Sequence, residues 1–202
     1  YKRQSLGCKF IETDVQVSSD GIPYIFHDND LKRICDLPNK FDSLSSQEID
    51  DLRIFGDHKI PKLVDALNTF PSTSFQIDFK TDEVVNPALE VISKSNASER
   101  VCVASFNSER LNNVRLTHPH LCISMGPNEV AKTLMSSFGI YRGIVPGDCL
   151  QIPIRYYGVR IVTKRFVNYL KSKGIKIMVW TINDVKTFNY LIDLKVDGII
   201  TD

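Results

Sequence analysis

Short apolar runs rich in valine, isoleucine and phenylalanine recur along the chain, at Cys8 to Val17, Phe75 to Lys80, Val101 to Phe106, Leu121 to Gly126, Cys149 to Ile154, Ile175 to Thr181 and Gly198 to Asp202. Runs of this length and composition predict strands. Helical patterns with their own start signals separate the later ones. Asn86-Pro87 precedes Ala88 to Lys94, Ser108 precedes Arg110 to Leu116, Thr163 precedes Lys164 to Lys173, and Asn183 precedes Val185 to Leu194. Gly174 is placed to end the third of these as a C-cap. Strands too apolar for one-sided burial, alternating with helices, predict an α/β fold whose parallel sheet is covered by helices.

Such a sheet is either open and doubly wound or closed into a barrel. An open nucleotide-binding sheet would carry a glycine-rich turn after its first strand, and the chain has no GxGxxG or GxxxxGK[ST] motif. That favours the barrel. The chain is shorter than the roughly 250 residues typical of a (β/α)8 barrel and shows seven strands rather than eight. The expectation is therefore a TIM barrel lacking its first strand, with Tyr1 to Leu6 as the end of the first helix. Residues 29–61 break the alternation and are expected to form a small insertion after the second strand. They contain Pro38, an acidic helix candidate from Ser45 to Ile54 without a full capping box at Ser46-x-x-Ile49, and Gly56-Asp57. Residues 1–202 are expected to form a single domain.

The 202 residues carry a net charge of +1, and their 43% hydrophobic content is enough for a substantial core. Basic residues look scattered, without the Lys/Arg runs that nucleic acid or an anionic membrane would call for, so no nucleic-acid partner is expected. The five cysteines contain no CxxC pair, and Cys102 and Cys122 lie in strand-like runs where a thiol behaves as a small hydrophobe. A reducing, cytoplasmic location fits that usage. No stretch approaches the roughly 20 apolar residues of a membrane span, so no integral membrane segment is expected. The sequence opens on Tyr1 rather than methionine, and any upstream targeting segment lies outside it.

Candidate chemistry clusters in the first run. Glu12 and Asp14 stand two apart in Phe10-Ile11-Glu12-Thr13-Asp14-Val15, and side chains two apart in a strand share a face, with Cα atoms roughly 6.6 Å apart. An inward carboxylate must be paired or bind a metal. Asp78 and Lys80 repeat the spacing in Phe75 to Lys80, either as metal and anion ligands or as a same-face ion pair. Glu12, Asp14 and Asp78 offer only oxygen, the donor preferred by hard cations, so Mg2+ or Ca2+ is the expected ion. His27, after the Asp20-Gly21 turn and the run Ile22 to Phe26, is the candidate general acid or base, because imidazole titrates near neutrality. His58, His118 and His120 sit in polar or proline-flanked loops and read as surface residues. Gln151 and Trp180 mark later strand ends, Trp180 packing either a substrate or the barrel interior.

At these residues the chain resembles the glycerophosphodiester phosphodiesterase family. The resemblance runs through Gly7 to Gln16, Ser18 to Asp28, Ile60 to Leu63 ahead of a helix, Ile77 to Lys80, Ser105-Phe106, Gln151 to Pro153, Val179 to Thr181 and Val196 to Asp202, in order along the chain. It implies a PLC-like (β/α)8 barrel that hydrolyses a small-molecule glycerophosphodiester to an alcohol and sn-glycerol 3-phosphate with Mg2+ or Ca2+. Glu12, Asp14 and Asp78 would be metal ligands, His27 one of two catalytic histidines, Lys80 a phosphate ligand, and Gln151 and Trp180 substrate-binding, with Trp180 facing the glycerol. The nucleophile would be water or the neighbouring glycerol hydroxyl. The family's opening histidine-arginine-glycine motif would precede Tyr1, and Asp78 stands where the family commonly has glutamate. The alternatives are a phosphate-binding barrel without catalysis and a phospholipase with an exposed apolar rim.

Overall fold

The computed structural model describes residues 7–202, so the helix end expected at Tyr1 to Leu6 lies outside the described residues. The chain divides into two compact units, Tyr1–Ser105 with Leu116–Leu121, and Phe106–Arg115 with Cys122–Asp202.

The first unit runs β1 (Phe10–Val17), β2 (Pro23–Ile25), α1 (Lys32–Cys35), α2 (Ser46–Asp51), α3 (Leu63–Thr69), β3 (Ser74–Phe79), α4 (Val85–Lys94) and β4 (Val101–Ala104). Its strands lie in the order β2-β1-β3-β4. β1 and β4 flank β3 in parallel, and β2 folds back antiparallel on β1. The fold-back is local: Ser18 N–H donates to the Ile22 carbonyl, the Ser18 hydroxyl accepts from Ile22 N–H, and Gly21 supplies φ +83°. Thr13, Val15, Ile77 and Phe79 alternate into the packed layer. The intervening residues of β1 and β3, Glu12, Asp14 and Asp78, face the other way.

Residues 29–61 have a core of their own. Leu31, Phe41 and Ile49 are fully buried with Tyr24 and nearly so with Phe26 and Ile60. Phe26 and Phe41 stack at 4.7 Å between centroids. The helix expected over Ser45 to Ile54 is shorter, Ser46–Asp51, because Leu52 turns extended and Ile54 enters a tight turn with His58. A complete capping box is present one residue before Ser46: the Ser45 hydroxyl accepts from Glu48 N–H while the Glu48 carboxylate accepts from Ser45 N–H.

The second unit runs α5 (Ser108–Thr117), β5 (Cys122–Ile123), α6 (Pro127–Ser137), β6 (Cys149–Pro153), β7 (Arg155–Tyr156), β8 (Val159–Arg160), α7 (Lys164–Ser172), β9 (Lys176–Trp180), α8 (Val185–Leu194) and β10 (Gly198–Ile199). β6, β9 and β10 form a parallel sheet in the order β10-β9-β6, and a bridge joins Ser124 to Cys149. Leu150, Val162, Val167, Leu170, Ile177, Val179 and Leu191 are fully buried around it. Gly174 ends α7 at φ +70°, as its position required. α8 is capped by Asp184, whose carboxylate accepts from Thr187 N–H at 2.8 Å, and not by Asn183. The Asn183 amide is already taken, donating to Asp202 and accepting from the Thr201 hydroxyl. α6 and the β7–β8 hairpin are additional to the elements expected.

Candidate active site

The site grows from the register of β1 and β3. Asp14 pairs with Asp78 across the parallel ladder and Glu12 pairs with Gln76, so the three carboxylates occupy one face. Lys80, two residues beyond Asp78, returns to that face. Its ammonium lies 2.7 Å from Asp14 Oδ1 and 2.7 Å from Asp78 Oδ2. The Asp78–Lys80 spacing thus forms the same-face ion pair, which also recruits Asp14. Burial pulls the Lys80 pKa down, but the hydrogen bonds to Asp14 and Asp78 outweigh it and the group is held above its ordinary value. Asp78 is the most enclosed of the three, 7% exposed against 21% for Asp14 and 17% for Lys80. The end of β3 is fixed by Ser105, whose hydroxyl donates to the Phe79 carbonyl at 2.9 Å.

His27 arrives by the fold-back of β2. Phe26 N–H donates to the Asp14 carbonyl at 3.0 Å, which seats the next residue beside the end of β1. His27 Nδ1 lies 2.7 Å from Asp28 Oδ1. Arg33 grips the same carboxylate through both oxygens, at 2.7 and 3.1 Å; its hydrogen bond, the largest influence, and that of His27 outweigh the upward pull of burial and leave Asp28 below the usual carboxylate range. An ionised Asp28 accepts from Nδ1–H, so the neutral ring carries its lone pair on Nε2. The loop is tied back to the strand by Gln16, whose buried amide donates to the Asp28 carbonyl and to Asn29 Oδ1, each at 3.1 Å.

An open cleft of about 560 Å3 is lined by His27, Asp28, Asn29, Asp30, Arg33 and Lys80. The structure therefore brings Lys80 and His27 to one cleft and joins Lys80 to Asp14 and Asp78. Glu12 shares the face, partly buried. Arg33 and Gln16 were not foreseen. Gln16 continues the two-residue spacing of Glu12 and Asp14, which is a signal for it; nothing in the sequence singles out Arg33. His58 and His120 are exposed and His118 is half-buried beside His120, in keeping with their surface reading.

The other two expected residues lie in the second unit. Gln151, in the middle of β6, pairs with Met178, and Pro153, the last residue of β6, pairs with Trp180, the last of the adjacent parallel strand β9. The Gln151 Nε2 is buried with no hydrogen-bond partner among the described residues. Trp180 is half-buried and meets Phe106 edge to face at 6.2 Å.

The donor chemistry suits a hard cation. Asp14 and Asp78 converge on one positive centre, the Lys80 ammonium, and every available donor is oxygen. The ligand atoms of Glu12, Asp14 and Asp78 do not all fall within 4.8 Å of one another.

The glycerophosphoryl diester phosphodiesterase family model matches residues 2–202. This chain belongs to that family. It is 32% identical over 203 residues to the Mycobacterium tuberculosis protein named "Probable glycerophosphodiester phosphodiesterase 2", covering 98% of this chain and 77% of the relative. Among solved structures, the glycerophosphoryl diester phosphodiesterase domain of an uncharacterised Mycobacterium tuberculosis protein superposes with a TM-score of 0.86 at 17% identity, over 99% of this chain and 87% of that one. An Oleispira antarctica phosphodiesterase in complex with the product sn-glycerol-3-phosphate superposes at 0.81 and 21%, over 98% and 82%. The fold is thus the α/β TIM barrel of these phosphodiesterases, and family membership makes the chain an enzyme of the phosphoric diester hydrolase class. No helix among the described residues is long and apolar enough to cross a membrane.

Proposed function

We propose that this chain, as one phosphodiesterase domain, hydrolyses glycerophosphodiesters to an alcohol and sn-glycerol 3-phosphate with the aid of a divalent cation, Mg2+ or Ca2+. The observation that carries the reading is the convergence of Asp14 and Asp78 on one cation position beside the cleft that holds His27. Glu12, Asp14 and Asp78 would hold the ion, which supplies charge that polarises a phosphoryl oxygen. Lys80 would be the second cation of the site, and with an ion sharing its carboxylates its ammonium would serve a phosphate oxygen in the cleft it lines. Arg33 lines the same cleft and adds a further positive charge.

His27 moves the proton. With Nδ1–H committed to Asp28, Nε2 takes a proton from the attacking hydroxyl or water, or returns one to the leaving alkoxide. Asp28 keeps the ring in that tautomer and stabilises the imidazolium that forms; Arg33 keeps Asp28 ionised. Gln151 and Trp180 would receive the organic part of the substrate, Gln151 through its unpartnered amide and Trp180 through its ring face. Phosphorus NMR of glycerophosphocholine incubated with the protein tests the reading. A new resonance of sn-glycerol 3-phosphate that disappears with chelator and returns with Mg2+ or Ca2+ is expected; an unchanged glycerophosphocholine signal under all three conditions overturns it.

A further inference from the structure

One surface of the second unit plays no part in that chemistry. β7 and β8 form a two-stranded ribbon immediately after β6, at the strand end occupied by Trp180. All six residues from Arg155 to Arg160 are exposed, among them Tyr156 at 58%, Tyr157 at 89% and Val159 at 66%. The ribbon is not a loose loop. Ile161 N–H donates to the Ile154 carbonyl, Val162 is fully buried, and the Tyr190 hydroxyl donates to the Val162 carbonyl, so its base is pinned into the core while its tip stands in solvent.

The tip is chemically unusual. Tyr157 and Gly158 both have positive φ, 46° and 79°, the two-residue turn in which Asn-Gly or Asp-Gly is the cheap solution. A bulky ring in this conformation is strained, and folding gains nothing from leaving it in water. Arg155 and Arg160 pair in register at the base of the ribbon; Arg155 Nη1 donates to the Gly158 carbonyl at 2.8 Å and the Arg160 guanidinium lies over the Tyr190 ring at 4.7 Å, both residues staying exposed. Between Asp148 and Asp184 the chain contains no aspartate or glutamate, only lysines and arginines, although its net charge is just +1. The scatter of basic residues noted from composition hides this acid-free stretch.

We propose that the Arg155–Arg160 hairpin docks the protein on an anionic lipid bilayer. Tyrosine favours the zone between headgroups and acyl chains, Val159 enters with it, and the arginines pair with lipid phosphates at the same depth. Neutral or cationic surfaces would lack the second contribution. The role is independent of the hydrolytic reading, because none of these side chains belongs to the site described above.

Co-sedimentation with vesicles of equal parts phosphatidylglycerol and phosphatidylcholine, against pure phosphatidylcholine, tests it. Wild type should sediment with the anionic vesicles alone and be released by salt. Tyr157→Asn relieves the turn and should keep or raise the melting temperature while weakening vesicle binding roughly fivefold. Arg155→Gln with Arg160→Gln should weaken it about thirtyfold at low salt, each arginine being worth about fivefold. Turnover of soluble glycerophosphocholine should stay at the wild-type rate in both variants. Equal binding to both vesicle types, undiminished binding by Tyr157→Asn, or a parallel loss of soluble turnover would overturn the proposal.

Discussion

The two units build parallel strands alike and finish them differently. In the first, the ends of β1 and β3 carry Asp14, Asp78 and Lys80 on one face, and the chain beyond β2 adds His27. In the second, β6 and β9 end on Pro153 and Trp180, with Gln151 two residues before the end of β6 and no charge among the three. The packed layers beneath both are built largely of apolar residues, Val15, Ile77 and Phe79 in the first unit and Leu150, Ile177 and Val179 in the second. Charge is gathered where neighbouring strands can neutralise it, Lys80 against Asp14 and Asp78, while the strand ends of the second unit stay neutral.

The comparison is broken most severely by removing the most enclosed carboxylate. Asp78→Ala leaves Lys80 and Asp14 with a half-empty pairing and deprives the proposed ion of a ligand, so kcat should fall about thousandfold or more, read by release of sn-glycerol 3-phosphate. His27→Ala should lower kcat by roughly 10^2 to 10^4 without unfolding the exposed loop, and a melting curve matching wild type would separate the two effects. Trp180→Ala sharpens the contrast from the other side: KM should rise about tenfold with a smaller change in kcat, because a group that only binds the organic moiety contributes equally to ground and transition states.

A stability effect isolates the first unit without touching its chemistry. Phe41 is fully buried in the small core of residues 29–61, and Phe41→Ala should cost about 3–5 kcal/mol in denaturant unfolding. The smallest effect concerns the turn after β1. Asp20 accepts from the Ser18 hydroxyl first, then from Ser46, and its pKa is lowered from 3.8 to about 2. A depressed folded-state pKa stabilises above the unfolded value and loses that contribution as pH falls toward the folded one. The difference in stability between wild type and Asp20→Asn should therefore be constant above about pH 5 and shrink between pH 4 and pH 2.

Much of this was legible in the sequence because burial on both faces writes itself as unbroken apolar runs; all seven expected strands are present, five within two residues of the expected bounds and two, Cys122–Ile123 and Gly198–Ile199, ending three residues sooner. α6 was not, since its inner face includes Thr133 and Ser137 beside Val130 and Leu134 and blurs the helical period. Start signals were read to the nearest plausible polar residue, which selected Asn183 over Asp184 and Ser46 over Ser45; only side-chain partners decide between neighbours. For the site, strand periodicity put Glu12, Asp14, Asp78 and Lys80 on faces, but which strands adjoin is a tertiary fact, and it is the Asp14–Asp78 register that turns two spacings into one cluster. Arg33 was invisible for the same reason, being brought to Asp28 by a short helix that has no apolar period of its own.

The central claim is that carboxylates from β1 and β3 hold one hard cation. Calorimetric titration of Mg2+ and Ca2+ into wild type and Asp78→Ala tests it directly. Saturable binding of one ion by wild type, lost or weakened at least a hundredfold in the variant, is the predicted result; equal binding by the two proteins would contradict it.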